Sequence, residues 1–235
     1  MMDVWHPDIM EFITSKQKAG EFENSNMSIC ITDDFMTALA ADEDWNLIFP
    51  DTTDPEYDAF WDGDIRRWVD IGKDIIVHNT VKASKIWNSI ITSAWASAEP
   101  GLHFIDRSNK MSNSWYFARL QATNPCGEQP LEAYGVCTLG AINLAKFVDE
   151  DRDVLWNKLR YVIRAAVRLL DNVIDANEYH FPEIDDNHRG NRRIGLGVMG
   201  LAEMLVRMGL KYGDEEAVVF TDALFETLAE EAYLA

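Results

Sequence analysis

The sequence predicts an α/β protein with parallel strands. Three observations point there. Short apolar, β-branched runs recur along the chain. Longer amphipathic segments, with apolar residues three and four apart, lie between them. Turn residues separate the two kinds, as in alternating strand and helix units. No internal repeat, low-complexity segment or linker interrupts the 235 residues.

Pro7 to Lys18 reads as a helix with Ile9, Phe12 and Ile13 on one face. Asn26 to Thr32 is short and β-branched and reads as a strand. Asp33 or Asp34 is the expected cap of a helix through Phe35, Met36 and Leu39. Trp45 to Phe49 reads as a strand ended by Pro50, and the acidic, aromatic stretch Asp51 to Asp64 as a surface loop. Lys82 to Ala98 is an amphipathic helix carrying Ile86, Trp87, Ile90 and Ala94, stopped by Pro100-Gly101. Leu102 to Ile105 reads as a buried strand, and Asp106 to Ser114 as a polar connection. Ala141 to Val148 is a short strand or a helix start. Leu155 to Asn177 is a long helix, with Leu159, Ile163, Leu170 and Val173 at helical spacing. Arg193 to Gly209 and Glu215 to Ala235 read as two further helices.

Hydrophobic residues make up 47% and charged residues 26%, as in an ordinary globular protein. The net charge of −19 argues against nucleic acid or anionic membrane as a direct partner. No apolar run reaches the length of a membrane span, and Met1 to Pro7 lacks the features of a signal peptide. Three cysteines in no regular framework indicate a reducing cytoplasm. The Cys126–Cys137 spacing does not match a zinc knuckle, so no metal site is expected.

The stretch that carries chemistry is Asn124-Pro125-Cys126-Gly127-Glu128-Gln129-Pro130-Leu131, followed by Tyr134-Gly135-Val136-Cys137-Thr138-Leu139-Gly140-Ala141-Ile142-Asn143-Leu144. Amide, thiol and carboxylate alternate, and an extended segment would turn Asn124, Cys126 and Glu128 to one side. Pro125 disfavours helical backbone at Asn124. The carboxylate of Glu128 does not favour a thiolate two residues away, but it can act as a base towards a substrate hydroxyl. A neutral thiol beside a base and a polar anchor suits hydrogen-atom chemistry. A turn with a buried cysteine is the bland alternative for any single Cys.

Those two stretches resemble the active-site signature of the ribonucleotide reductase large chain, and most closely the adenosylcobalamin-dependent class II form. The resemblance continues through Trp5-His6-Pro7-Asp8-Ile9, Asn26-Met27-Ser28, Pro100-Gly101-Leu102-His103-Phe104-Ile105-Asp106-Arg107, Asn113-Ser114-Trp115-Tyr116-Phe117 and Arg192 to Leu201, nearly the whole chain. It implies part of a ten-stranded α/β barrel, with Cys126 on a central loop. It also implies radical reduction of ribonucleoside di- or triphosphates to deoxyribonucleotides for DNA replication. Cys126 is then the thiyl radical, Glu128 the base towards the 3′ hydroxyl, Asn124 the anchor of the ribose hydroxyls, and Cys137 one of two thiols that end as a disulfide. The partner of Cys137 is expected upstream of Met1.

The resemblance also implies adenosylcobalamin, with no residue assigned to bind it, and a nucleotide effector in the full-length protein. A thioredoxin-type or glutaredoxin-type reductant and a homodimer or complementary segments complete the expected partners. Residues 1–235 are expected to be a portion of the catalytic barrel domain truncated at both ends, through a split gene or an incomplete sequence. Two alternatives stand beside this. One is a class I large subunit that takes its radical from a separate subunit. The other is a split-protein portion that is inactive without its complementary chains. A nicotinamide-binding dehydrogenase would rest only on Gly195-Leu196-Gly197-Val198-Met199-Gly200, where no preceding strand is read, so the glycines are expected to allow close packing at a helix start.

Of the remaining candidates, Cys30 reads as a small buried hydrophobe. The five scattered histidines (His6, His78, His103, His180 and His188) read as surface or hydrogen-bonded core residues. Asp42 to Asp44 is expected to face solvent, and Arg192-Arg193 to be a solvated pair at a helix start.

Overall fold

The computed structural model describes residues 1–17, 22 and 24–235, so the end of the first expected helix, Lys18, lies outside the described residues. The chain divides into two compact units, Met1–Ala133 and Tyr134–Ala235.

The first unit is built on a parallel sheet of β1 (Met2–Asp3), β2 (Ser28–Ile31) and β5 (Gly101–Phe104), in that order. One face carries Ile29 and Ile31 into a core with Val4, Ile9, Ile13, Phe35, Ile86 and Ile90. Helices α1 (Ile9–Thr14), α2 (Asp33–Ala40) and α5 (Ala83–Ser97) supply those residues except Val4, which follows β1. Burial at this density is the main favourable contribution to such a fold. An antiparallel ribbon of β3 (Asp44–Pro50) and β4 (Ile75–Lys82) docks beside it, bulged between Leu47 and Ile48. The Ile48 N–H donates to the Trp5 carbonyl at 2.8 Å and the Trp45 indole to the Val4 carbonyl at 3.2 Å. Two short helices, α3 (Tyr57–Phe60) and α4 (Ile65–Asp70), link the ribbon's strands.

Several expectations need correction here. Thr32, not Asp33 or Asp34, caps α2: its hydroxyl accepts from the Phe35 N–H, and the two aspartates sit in the first turn, where the helix dipole favours them. The loop expected over Asp51 to Asp64 contains α3. The strand Gly101–Phe104 is not buried throughout; Leu102 and Phe104 are exposed, because β5 is an edge strand of this sheet. The polar run after it forms a helix, α6 (Ile105–Met111), with only Ile105 buried. Helix α4 and strand β4 were not legible, since Ile75–Lys82 is almost wholly exposed and shows no alternation.

The second unit pairs β8 (Thr138–Asn143) with β9 (Ile194–Met199) in parallel over six residues. Between them in sequence come α7 (Trp156–Ala176) and α8 (Pro182–Asn191), and after them α9 (Leu201–Met208) and α10 (Glu215–Leu234). Ile142, Leu144, Phe147, Leu159, Ile163, Met204 and Leu224 form its core. Glu231 is buried in α10 and receives Arg164 and Arg160 of α7. His188 is buried as well, with Nδ1 2.7 Å from the Tyr179 hydroxyl and Nε2 3.2 Å from the Arg193 carbonyl.

The helix expected over Arg193 to Gly209 is two elements, β9 and α9. Ile194, Leu196 and Val198 alternate with Gly195, Gly197 and Met199, a period-two pattern. Gly195 and Gly197 therefore lie within the strand and only Gly200 follows it, so the glycine-rich turn after a strand that a dinucleotide fingerprint needs is not formed. A Cβ on Gly200, at φ +75°, would lie 2.6 Å from Asn143 Oδ1, so close packing does govern that position. Arg192 is not at a helix start. It closes α8 in the left-handed conformation and pairs with Asp171 at 2.7 Å and Asp175 at 2.9 Å. One three-stranded parallel sheet, one parallel pair and two antiparallel ribbons make the described chain α/β, and no sheet closes among the described residues. Among those residues no helix is long and apolar enough to cross a membrane.

Candidate functional site

A two-residue ladder, Ala122–Thr123 (β6) against Pro130–Leu131 (β7), holds residues 124–129 as a hairpin loop in the first unit. Asn124 organises that loop. Its N–H donates to the Gln129 carbonyl at 3.1 Å, and its own carbonyl accepts from the Gly127 N–H at 3.0 Å. Its side-chain oxygen accepts from the Gln129 N–H at 2.9 Å. Gly127 sits at φ +83°, which costs a residue without a Cβ little. Of the loop or short strand expected here, the chain forms the loop, turned and not extended because the asparagine side chain closes it on itself.

Within this loop Asn124 is half-buried, while Cys126 and Glu128 are exposed at the tip. The Cys126 sulfur has one polar neighbour described, the amide Nδ2 of Asn26 at 3.9 Å. Cys137 belongs to the second unit, directly before β8; it is partly buried, and its Sγ lies 3.9 Å from the Thr138 carbonyl. The loop therefore brings Asn124, Cys126 and Glu128 together, and Cys137 stands in the other unit. Cys30 is buried, and burial, reinforced by Asp3, pushes its thiol up to about 12. That fits the reading of Cys30 as a packing residue.

Under the hairpin lies the second face of the β1–β2–β5 sheet. Asp3, Cys30 and His103 are register partners across its three strands, so their side chains share a face. The Cys30 sulfur approaches the Gln121 carbonyl at 4.0 Å, and Leu120 and Ile105 pack on it. Burial, then the nearby Asp64 carboxylate, raises Asp3 to about 6. His103 has an enclosed Nε2 with no hydrogen-bond partner among the described residues, an exception to the expected satisfied histidines, and burial lowers its pKa.

Beside this face Arg66 forks onto Asp106 at 2.6 and 2.7 Å, and Arg119 meets Asp64 at 3.0 Å. Burial opposes charge on Asp106, but Arg66 and the Asp33 N–H together hold it below the usual carboxylate range. Sequence reasoning missed this charged group. Its members are scattered over α4, α6 and the hairpin approach, and only Asp106 lay in a quoted motif. Among the described residues no three His, Cys, Asp or Glu side chains are grouped to hold a metal ion.

Compared with known proteins, residues 1–235 match the family described as ribonucleotide reductase, barrel domain. The chain is 37% identical over 231 residues to a vitamin B12-dependent ribonucleoside-diphosphate reductase of Thermoplasma acidophilum, covering 98% of this chain and 27% of that protein. It is 37% identical over 236 residues to one so named from Mycobacterium tuberculosis, covering 100% of this chain and 31% of that protein. A ribonucleoside-diphosphate reductase large subunit of Vaccinia virus is 31% identical over 237 residues, covering 97% of this chain and 30% of that one. The chain thus spans less than a third of the length of these relatives.

Proposed function

The chain belongs to the ribonucleotide reductase barrel-domain family, and from that premise we propose that it carries the catalytic loop of an enzyme reducing ribonucleotides to deoxyribonucleotides. The observation that carries the reading is the hairpin tip, where an exposed thiol stands between an anchoring amide and a carboxylate. The names of the relatives favour a ribonucleoside diphosphate as substrate. Residues 1–235, both compact units, are then one portion of the catalytic barrel domain.

In this reading the Cys126 sulfur, as a thiyl radical, takes the 3′ hydrogen atom of the ribose. Glu128 accepts the 3′ hydroxyl proton, which eases departure of the 2′ oxygen as water. The proton that completes that water comes from the reductant thiols. Cys137 and a second thiol deliver two electrons and close to a disulfide, their other hydrogen forming the new C2′–H bond; Glu128 returns its proton to the 3′ oxygen, and Cys126 returns its hydrogen atom to C3′. Asn124 anchors a ribose hydroxyl through its Nδ2 group, while its oxygen holds the Gln129 N–H. A thioredoxin-type or glutaredoxin-type protein reopens the disulfide in a reducing cytoplasm.

Adenosylcobalamin supplies the radical when bound, by homolysis of its cobalt–carbon bond. The exposed Cys126 sulfur fits that role, because a group that takes hydrogen from sulfur must reach it. No residue of the chain is assigned to hold the corrin. Identities of 37% to B12-dependent enzymes, against 31% to the Vaccinia large subunit, favour this form over one with a separate radical-generating subunit. Complementary segments are part of the proposal: Trp95, Tyr161 and Val206 are well exposed, surfaces that further chain would cover.

The test is Cys126→Ser in the reductase assembled with its complementary segments, assayed with and without adenosylcobalamin. An alcohol O–H bond is too strong for the cycle, so reduction should vanish while the fold persists. Substantial turnover by the serine protein would rule the radical role out.

A further inference from the structure

We propose that Asn26 is the positioning residue of the Cys126 thiol, donating its amide hydrogen to the sulfur. The inference rests on the proposed role of Cys126 and adds to it the group that orients the reactive atom. Asn124, the amide nearest in sequence, holds the Gln129 N–H with its oxygen. The amide that addresses the sulfur comes from elsewhere in the chain, at a separation of 100 residues.

Both ends of that contact are placed by backbone. Asn26 stands two residues before β2. The Met27 carbonyl next to it accepts from the Gly101 N–H at 2.9 Å, which ties this segment to β5. The hairpin rests on the same end of the sheet: the Thr123 N–H and hydroxyl lie 3.0 and 3.2 Å from the Met1 sulfur, and the Cys30 sulfur meets the Gln121 carbonyl. Of these ties, the Asn26 amide is the one at the reactive tip. A donor on the sulfur lone pair restricts rotation about the Cys126 side chain and turns the S–H away from β2. It also stabilises negative charge on sulfur relative to a bare, exposed thiol. An aspartate at the same position has the same shape and the opposite effect.

The experiment measures iodoacetamide alkylation of each cysteine by mass spectrometry, near pH 8 where thiolate is the reacting form. Asn26→Ala should slow Cys126 about three-fold, as loss of one modest hydrogen bond predicts. Asn26→Asp should slow it about ten-fold, since a carboxylate then faces the sulfur. Cys137 should react as before in both proteins, and buried Cys30 should stay inert. In the active reductase, Asn26→Ala should lower kcat and leave the KM for nucleotide unchanged. Equal Cys126 alkylation in all three proteins would overturn the proposal. The isosteric aspartate keeps this decidable if the alanine protein folds poorly. The two readings fail separately: turnover by Cys126→Ser removes the radical role and leaves the alkylation result standing, whereas an inactive Cys126→Ser with unaltered Asn26 proteins removes only the present inference.

Discussion

The two units use parallel strands for different ends. In the first, one face of the β1–β2–β5 sheet is hydrocarbon, and the other presents Asp3, Cys30 and His103 beneath the hairpin. In the second, Ile142, Leu196 and Val198 of β8 and β9 pack into an apolar core, and Gly140 gives way to Leu170 at 3.3 Å from where its Cβ would stand. Its buried charge is on helices and is paired, Glu231 with Arg160 and Arg164. In the first unit Asp3 is held near 6 by burial itself. The contrast teaches where an exposed thiol is carried in the first unit: on a loop over a sheet face that keeps titratable groups, whereas the second unit holds the partly buried Cys137 at a strand start.

The sharpest way to break this contrast is Cys137→Ala. On the proposed mechanism the radical step needs Cys126 alone, so in the assembled reductase one partial turnover should begin and repeated turnover should stop, because no disulfide can form. Rapid-quench counting of deoxyribonucleotide per enzyme decides it. Normal cycling with dithiothreitol would make Cys137 structural and leave the second unit with packing alone.

Next in size is Asp3→Asn. Asp3 has a folded pKa raised from 3.8 to about 6. The stability tied to its protonated form is complete below pH 3.8 and lost as pH rises towards 6. The asparagine protein, which cannot ionise there, should gain on the parent by up to about 3 kcal/mol across that window and hold the gain above it. Urea titrations at the two ends of the window measure it. A difference that does not vary with pH would place the carboxylate in solvent, despite its neighbours Asp64, Arg66 and Arg119.

Glu231→Ala should cost about 2 kcal/mol, less than a fully buried pair, because both arginines are half-exposed. Thermal unfolding of the second unit should report it, and an unchanged melting temperature would mean the pair is only decorative. The smallest effect is expected of Thr32→Ala, about 1 kcal/mol for a lost helix cap. If Asp33→Ala proved the more costly of the two, the sequence-based choice of cap would stand after all.

Much of the scaffold was legible because its signals are local. Ile86 and Ile90 in α5, and Leu159, Ile163 and Leu170 in α7, recur at helical spacing and are buried as that spacing requires. Cys30 in a β-branched run announced a buried strand. The grouping of the proposed site residues was legible for another reason: Asn124, Cys126 and Glu128 lie within five positions, so their proximity needs no tertiary information.

What the sequence by itself determined is therefore the α/β class, the long helices and the family to which the chain belongs. Tertiary structure alone decided the rest. Whether Ile194 to Met199 is strand or helix depends on β8 lying alongside, because glycine weakens both local signals. That the loop turns instead of extending depends on a side-chain oxygen reaching a backbone N–H five residues on. The raised Asp3, the Arg66–Asp106 fork and the Asn26 contact to Cys126 each join residues 40 to 100 positions apart. Periodicity records which way a side chain points, and only the folded chain says what it meets there.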